Sequence, residues 1–205
     1  MAFMAENKYR LILFDISGVL IKLGGMPDFV SWTGMSTEQI KARFLESSSI
    51  SQFERGMTNY SEFYEQFVEE WEIDISCDDL KAALQSWVSE SFDGAGQLLD
   101  TLGSDHTLAC LTNTNEVQWP VVASVLDVDA RFEYQYVSHL MGMVKPDLEV
   151  FQYVLNDLGV DAERVLFLDD SEPNVFCAQR LGFDAHQVVG MDAAVELLRS
   201  KNVLG

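Results

Sequence analysis

Five short apolar, β-rich runs dominate the pattern of this chain, at 9–14, 107–111, 134–137, 165–168 and 186–189. From Gly94 onward they alternate with helical patterns at 97–102, 117–126, 148–158, 174–181 and 193–198. Strands that alternate with helices predict an α/β fold, a parallel sheet with helices on both faces. The strands are near-continuously apolar, as strands covered on both sides must be. Between the first and second runs, residues 21–93 show helical segments at 37–45, 60–71 and 78–89 and no strand pattern. Trp32, Phe63, Phe67, Trp71 and Trp87 fall there as aromatic anchors. This stretch is expected to be an all-helical insertion with its own small core. The domain expectation is therefore a core of residues 1–20 and 94–205 and a helical cap of 21–93.

A length of 205 residues suffices for such a core with an insertion. No apolar run approaches the ~18 residues of a spanning helix. The N-terminus lacks a signal-peptide pattern, and its first residues read as a lead-in to the first strand. Cys77, Cys110 and Cys177 are odd in number and widely spaced, which fits neither a metal motif nor a disulfide framework. A reduced, cytoplasmic setting is the simplest expectation. Cys110 lies inside the apolar run TLACL and reads as a buried small hydrophobe. The net charge of −20 argues against nucleic acid or an anionic membrane as partner.

Ligands of an open parallel sheet bind outside the carboxyl ends of its strands. Those ends present Asp15, then Thr112 and Asn113, then a segment containing Lys145, then Asp169 and Asp170. Each is ordinary alone: an Asp after a strand caps a turn, and Lys145-Pro146-Asp147 reads as a helix start. Their ordered occurrence at successive strand ends is what points to chemistry. Clustered carboxylates raise one another's pKa, and a divalent cation relieves that repulsion. Hard oxygen ligands without His or Cys indicate Mg²⁺ rather than zinc. Lys145 adds a compensating charge, and Thr112 can bind phosphate oxygens. Asp15 is then placed as an in-line nucleophile that forms an aspartyl-phosphate.

The segments FDISGVL, FERGMTNYSEF, LTNTN, MGMVKPDLEVFQYVL and VLFLDDSEPNVFCAQRLGF resemble the motifs of the haloacid dehalogenase-like hydrolase superfamily. The similarity covers nearly the whole chain and is nearest to the bacterial α-glucose-1-phosphatase-like subgroup. The resemblance implies a Rossmann-like core and a mobile cap that closes over the substrate, a small phosphorylated metabolite. It implies Asp15 as nucleophile, Thr112 and Lys145 as phosphate-binding groups, and Mg²⁺ on Asp15, the Ser17 carbonyl and Asp170. Asp169 then holds a metal-bound water, and Asn174 matches a polar position behind it. Arg55 is the candidate substrate contact from the cap. His106, His139 and His186 are expected to be structural or surface residues.

One position departs from the pattern. Ser17 stands where the family carries a second Asp, which protonates the leaving oxygen and then activates water. A serine hydroxyl does neither at neutral pH, and such acid–base help is worth about 10²–10⁴-fold. The expectation is a phosphatase that favours stabilised leaving groups, such as anomeric sugar phosphates. The alternatives are a catalytically weak protein that binds a phosphorylated ligand or a partner, and a 2-haloacid dehalogenase-type hydrolase.

Overall fold

The computed structural model describes residues 8–24 and 26–205; the expected lead-in at residues 1–7 lies outside them. In chain order the elements begin with β1 (Leu11–Phe14) and β2 (Ile21–Lys22). Five helices follow: α1 (Pro27–Thr33), α2 (Thr37–Glu46), α3 (Ser48–Glu54), α4 (Tyr60–Trp71) and α5 (Cys77–Trp87). Then come β3 (Glu90–Ser91), α6 (Ala95–Gly103), β4 (Thr107–Thr112), α7 (Trp119–Leu126), α8 (Val128–Arg131) and β5 (Tyr134–Val137). The chain closes with α9 (Ser138–Met141), α10 (Leu148–Leu158), β6 (Val165–Asp169), α11 (Glu172–Arg180), β7 (Asp184–Gln187) and α12 (Gly190–Ser200).

The main sheet runs β5-β4-β1-β6-β7, and all of its pairings are parallel. β1 sits at its centre, so the chain winds outward first on one side and then on the other. That reversal opens a crevice at the carboxyl ends of β4, β1 and β6. Successive strand residues point to opposite faces. Ile12 and Phe14 pack with Leu99, Val122 and Leu198 on one face. Leu11 and Leu13 pack with Phe151, Val154 and Val175 on the other. Each fully buried Leu or Phe contributes about 1.5–3 kcal/mol relative to exposure. Cys110 is fully buried in the first of these cores, as its apolar context predicted.

α1 to α5 build a third core, in which Phe29 meets Trp32, Phe44, Phe67, Trp71 and Trp87 ring to ring. The expectation of no strand within 21–93 is wrong. β2 and β3 form a two-stranded antiparallel ribbon where the helical segment leaves and rejoins the sheet. Each has only two residues, too few to show alternation, and they pair across the whole insertion. The last strand is also displaced: Asp184–Gln187 rather than 186–189. Asp184 is drawn into the edge of the sheet by Tyr9, Lys8 and Lys201. No helix of the described residues is long and apolar enough to cross a membrane.

Candidate active site

The ladders set the site. Phe14 is in register with Cys110 on one side and Leu168 on the other, so β1, β4 and β6 end together. The Asp15 N–H donates to the Leu168 carbonyl at 2.8 Å, which holds Asp15 at the rim. Asp15, Asp169 and Asp170 bring one carboxylate oxygen each within 4.8 Å of one another. The Lys145 ammonium lies among them, 2.8 Å from Asp15 Oδ1 and 2.7 Å from Asp169 Oδ2. All four were expected from the sequence, and all four converge here.

Burial controls their electrostatics. It pushes the Asp15 carboxyl up to about 8, against the pull of Lys145 and with added repulsion from Asp169 and Asp170. Burial and then Asp169 raise Asp170 in the same direction. Burial alone lowers a lysine, but Asp15 and Asp169 outweigh it and hold Lys145 charged above its ordinary range. One ammonium therefore faces three carboxylates. The charge imbalance and the all-oxygen donor set fit a hard divalent cation.

The supporting residues divide by task. Both Asp169 oxygens are engaged, by Lys145, the Ser171 N–H and the Asn174 amide, which leaves Asp170 the more open carboxylate. The Asn113 side chain clamps the Lys145 main chain, accepting from its N–H at 2.9 Å and donating to its carbonyl at 2.8 Å. Asn113, a candidate substrate contact, thereby positions the lysine and also lines the cavity beside it. Thr112 ends β4, nearly buried, and its hydroxyl has no hydrogen-bond partner among the described residues. Gly18 shows why the turn after Asp15 carries a glycine. Its φ is +77°, and an added Cβ would lie 2.2 Å from Asp170 Oδ2.

The helical segment walls the site. A cavity of about 580 Å³ is bounded by Lys145 and Asp170 on one side and by Phe44, Glu54, Arg55 and Trp87 on the other. Arg55 faces it with a 2.8 Å ion pair to Asp147. A second space of about 170 Å³ is lined by Ser17 together with Glu54, Phe53 and Phe63. The turn after α3 is seated on α9: a Cβ on Gly56 would meet the His139 carbonyl at 2.2 Å. Glu54 was missed in the sequence although it directly precedes Arg55 in FERG. Burial pushes its carboxyl up to about 7 against the pull of Lys145 and Arg55. A carboxylate beside an arginine reads as a solvated surface pair until burial is known.

Comparison with known proteins follows the same lines. The family model described as haloacid dehalogenase-like hydrolase matches residues 12–188. The flavin mononucleotide hydrolase 1 of Arabidopsis thaliana is 26% identical over 86% of this chain and 71% of its own length. The D-ribitol-5-phosphate phosphatase of Bacteroides thetaiotaomicron is 22% identical over 86% of this chain and 90% of its own. A solved family enzyme from Bacteroides thetaiotaomicron, in complex with magnesium and inorganic phosphate, superposes with a TM-score of 0.75. It is 28% identical and covers 87% of this chain and 93% of its own. The L-2-haloacid dehalogenase of Xanthobacter autotrophicus shares the fold at 18% identity over 88% of this chain and 77% of its own, with a TM-score of 0.65.

Proposed function

The chain belongs to the haloacid dehalogenase-like hydrolase family, and from its strand-end site we propose that it is a Mg²⁺-dependent phosphatase of small phosphorylated metabolites. The observation that carries this reading is the buried cluster of Asp15, Asp169, Asp170 and Lys145, with three acids around one ammonium. Asp15 attacks phosphorus and becomes the aspartyl-phosphate, and the leaving oxygen departs on the opposite side. Lys145 neutralises charge on the transferring group and, through Asp169, stays in place. The Thr112 hydroxyl binds a phosphate oxygen. Asp15, Asp170 and the Ser17 carbonyl would hold Mg²⁺, with Asp169 behind them, and the ion would supply charge neutralisation for the transferring group.

The insertion is the proposed cap, and Arg55 is its contact with the anionic substrate. Phe44 and Trp87 in the same wall offer surface for the non-phosphate part. The net charge of −20 disfavours nucleic acid and anionic membranes as substrates. The test is a panel of phosphate monoesters assayed with Mg²⁺ and with chelator, on wild type and Asp15→Asn. Turnover that needs both Mg²⁺ and Asp15 supports the reading. Phosphate binding without turnover would assign a phosphate-ligand protein instead. Hydrolysis of a 2-haloacid in chelator would assign a dehalogenase.

A further inference from the structure

Phosphoryl transfer to Asp15 leaves an oxygen that must be protonated when it is an alkoxide, and the aspartyl-phosphate then needs an activated water. The groups of the strand-end cluster are already committed. Asp15 is the proposed nucleophile, Asp170 is assigned to the cation, Asp169 is taken up by Lys145, Ser171 and Asn174, and Lys145 is an ammonium locked between Asp15 and Asp169. The Ser17 hydroxyl is too weak an acid and base to serve. The two spaces above the cluster are lined by three carboxylates, Glu54, Asp147 and Asp170. Of these, Asp170 belongs to the metal cluster and Asp147 is paired with Arg55. Glu54 remains. It lines both spaces, the one that contains Ser17 and the one that contains Lys145 and Asp170. Its carboxylate has no hydrogen-bond or ion-pair partner among the described residues, although it is partly buried.

We propose that Glu54 is the general acid and base of this enzyme, reaching from the helical insertion to the position that Ser17 leaves without a carboxyl group. The proposal rests on the phosphatase reading above. In the first step Asp15 forms the new O–P bond, the bond from phosphorus to the leaving oxygen breaks, and the Glu54 carboxyl proton passes to that oxygen. In the second step the Glu54 carboxylate takes a proton from water. The water oxygen attacks phosphorus, the bond to Asp15 breaks, and inorganic phosphate leaves with Asp15 restored. The site favours this role in two ways. Gly56 seats the end of α3 on the His139 carbonyl, which fixes where Glu54 stands. Lys145, Arg55 and Lys41 face the shared space as cations and Asp147 and Asp170 as anions, so the carboxyl changes protonation in a mixed field and not against one sign of charge. Because the acid is present, the preference for stabilised leaving groups expected from Ser17 is reduced.

The experiment compares wild type, Glu54→Gln, Glu54→Asp, Ser17→Asp and the double variant Glu54→Gln/Ser17→Asp, each with Mg²⁺. On an alkyl phosphate, Glu54→Gln is expected to lose about 10²–10⁴-fold in kcat. The alkaline limb of the kcat/KM profile is expected to disappear with it. On 4-nitrophenyl phosphate the first turnover stays fast in Glu54→Gln, a burst appears, and phosphorylated protein accumulates to a level that mass spectrometry detects. Ser17→Asp is expected to restore activity in the double variant. If Glu54→Gln does not fold by circular dichroism, Glu54→Asp carries the test, with a partial loss and a retained alkaline limb. A wild-type rate and pH profile in the folded Glu54 variants would overturn the proposal while Asp15→Asn inactivity left the phosphatase reading standing. Wild-type inactivity on every phosphate would overturn both.

Discussion

The two walls of the active site are built on opposite principles. The floor, Asp15 with Lys145, Asp169 and Asp170, sits at the ends of three hydrogen-bonded strands, and one ammonium there is paired with two of the three acids. The roof, Glu54 and Arg55, hangs from an insertion with its own aromatic core. That insertion meets the core through contacts that include Arg55 to Asp147, the Tyr60 N–H to the Glu116 carboxylate, Gln118 to the Leu84 carbonyl, Val117 in its aromatic core, and Gly56 against His139. On the proposed reading, a floor built this way holds the phosphoryl group in a fixed geometry. A roof built this way can differ between relatives without disturbing the floor, and on the same reading it supplies proton handling and substrate choice.

The largest expected effect tests the floor. Asp15→Asn is expected to reduce turnover by about 10⁴–10⁶-fold, read as steady-state rate on any accepted phosphate ester. Appreciable activity in that variant would remove the chemical role of the floor. Gly18→Ala comes next. The added methyl meets Asp170 and strains a left-handed residue, so a loss of about 1–3 kcal/mol in unfolding free energy and of Mg²⁺ affinity is expected. Denaturant melts and calorimetric titration of Mg²⁺ measure the two.

The roof gives smaller and differently signed effects. Glu54 has a folded pKa of about 7, raised from its ordinary value. Its stabilising share is therefore complete at pH below about 4.5 and is lost as pH rises through 7. Glu54→Gln carries no such penalty, so its stability relative to wild type should grow across that window, by about 1–3 kcal/mol at pH 8. Thermal melts of the metal-free proteins at pH 5 and pH 8 read this directly, and a pH-independent difference would contradict it. Arg55→Ala is the mildest. Its ion pair with Asp147 is partly exposed, so stability should change by under about 1 kcal/mol. KM should rise about 3- to 30-fold with kcat less affected. A large loss of stability instead would make Arg55 a docking residue of the roof.

Most of the floor was legible in the sequence. The run at 134–137 and the helix at 60–71 coincide with β5 and α4, because long periodic or tightly bounded apolar patterns are local properties. The strand ends named the acids and the lysine in advance. The roof was legible only as helices. α3 has seven residues, SSISQFE, of which three are serine, and shows little periodicity. The Ser47 hydroxyl and the Glu70 carboxylate satisfy its first turn, the second from a helix distant in sequence. β2 and β3 depend wholly on long-range pairing.

The sequence by itself determined that Asp15, Thr112, Lys145, Asp169 and Asp170 share one edge. Parallel strands with crossover helices all end on the same side, so strand order alone brings those residues together. It also determined that Ser17 carries no carboxyl group next to the nucleophile. Only the tertiary structure decided that Glu54 and Ser17 line one space. That juxtaposition depends on how an aromatic bundle is seated on α9 and the sheet edge, and packing of that kind has no period in the chain. Burial decided the rest, since the same glutamate in water would be an ordinary anion and in this wall has a carboxyl poised near neutrality.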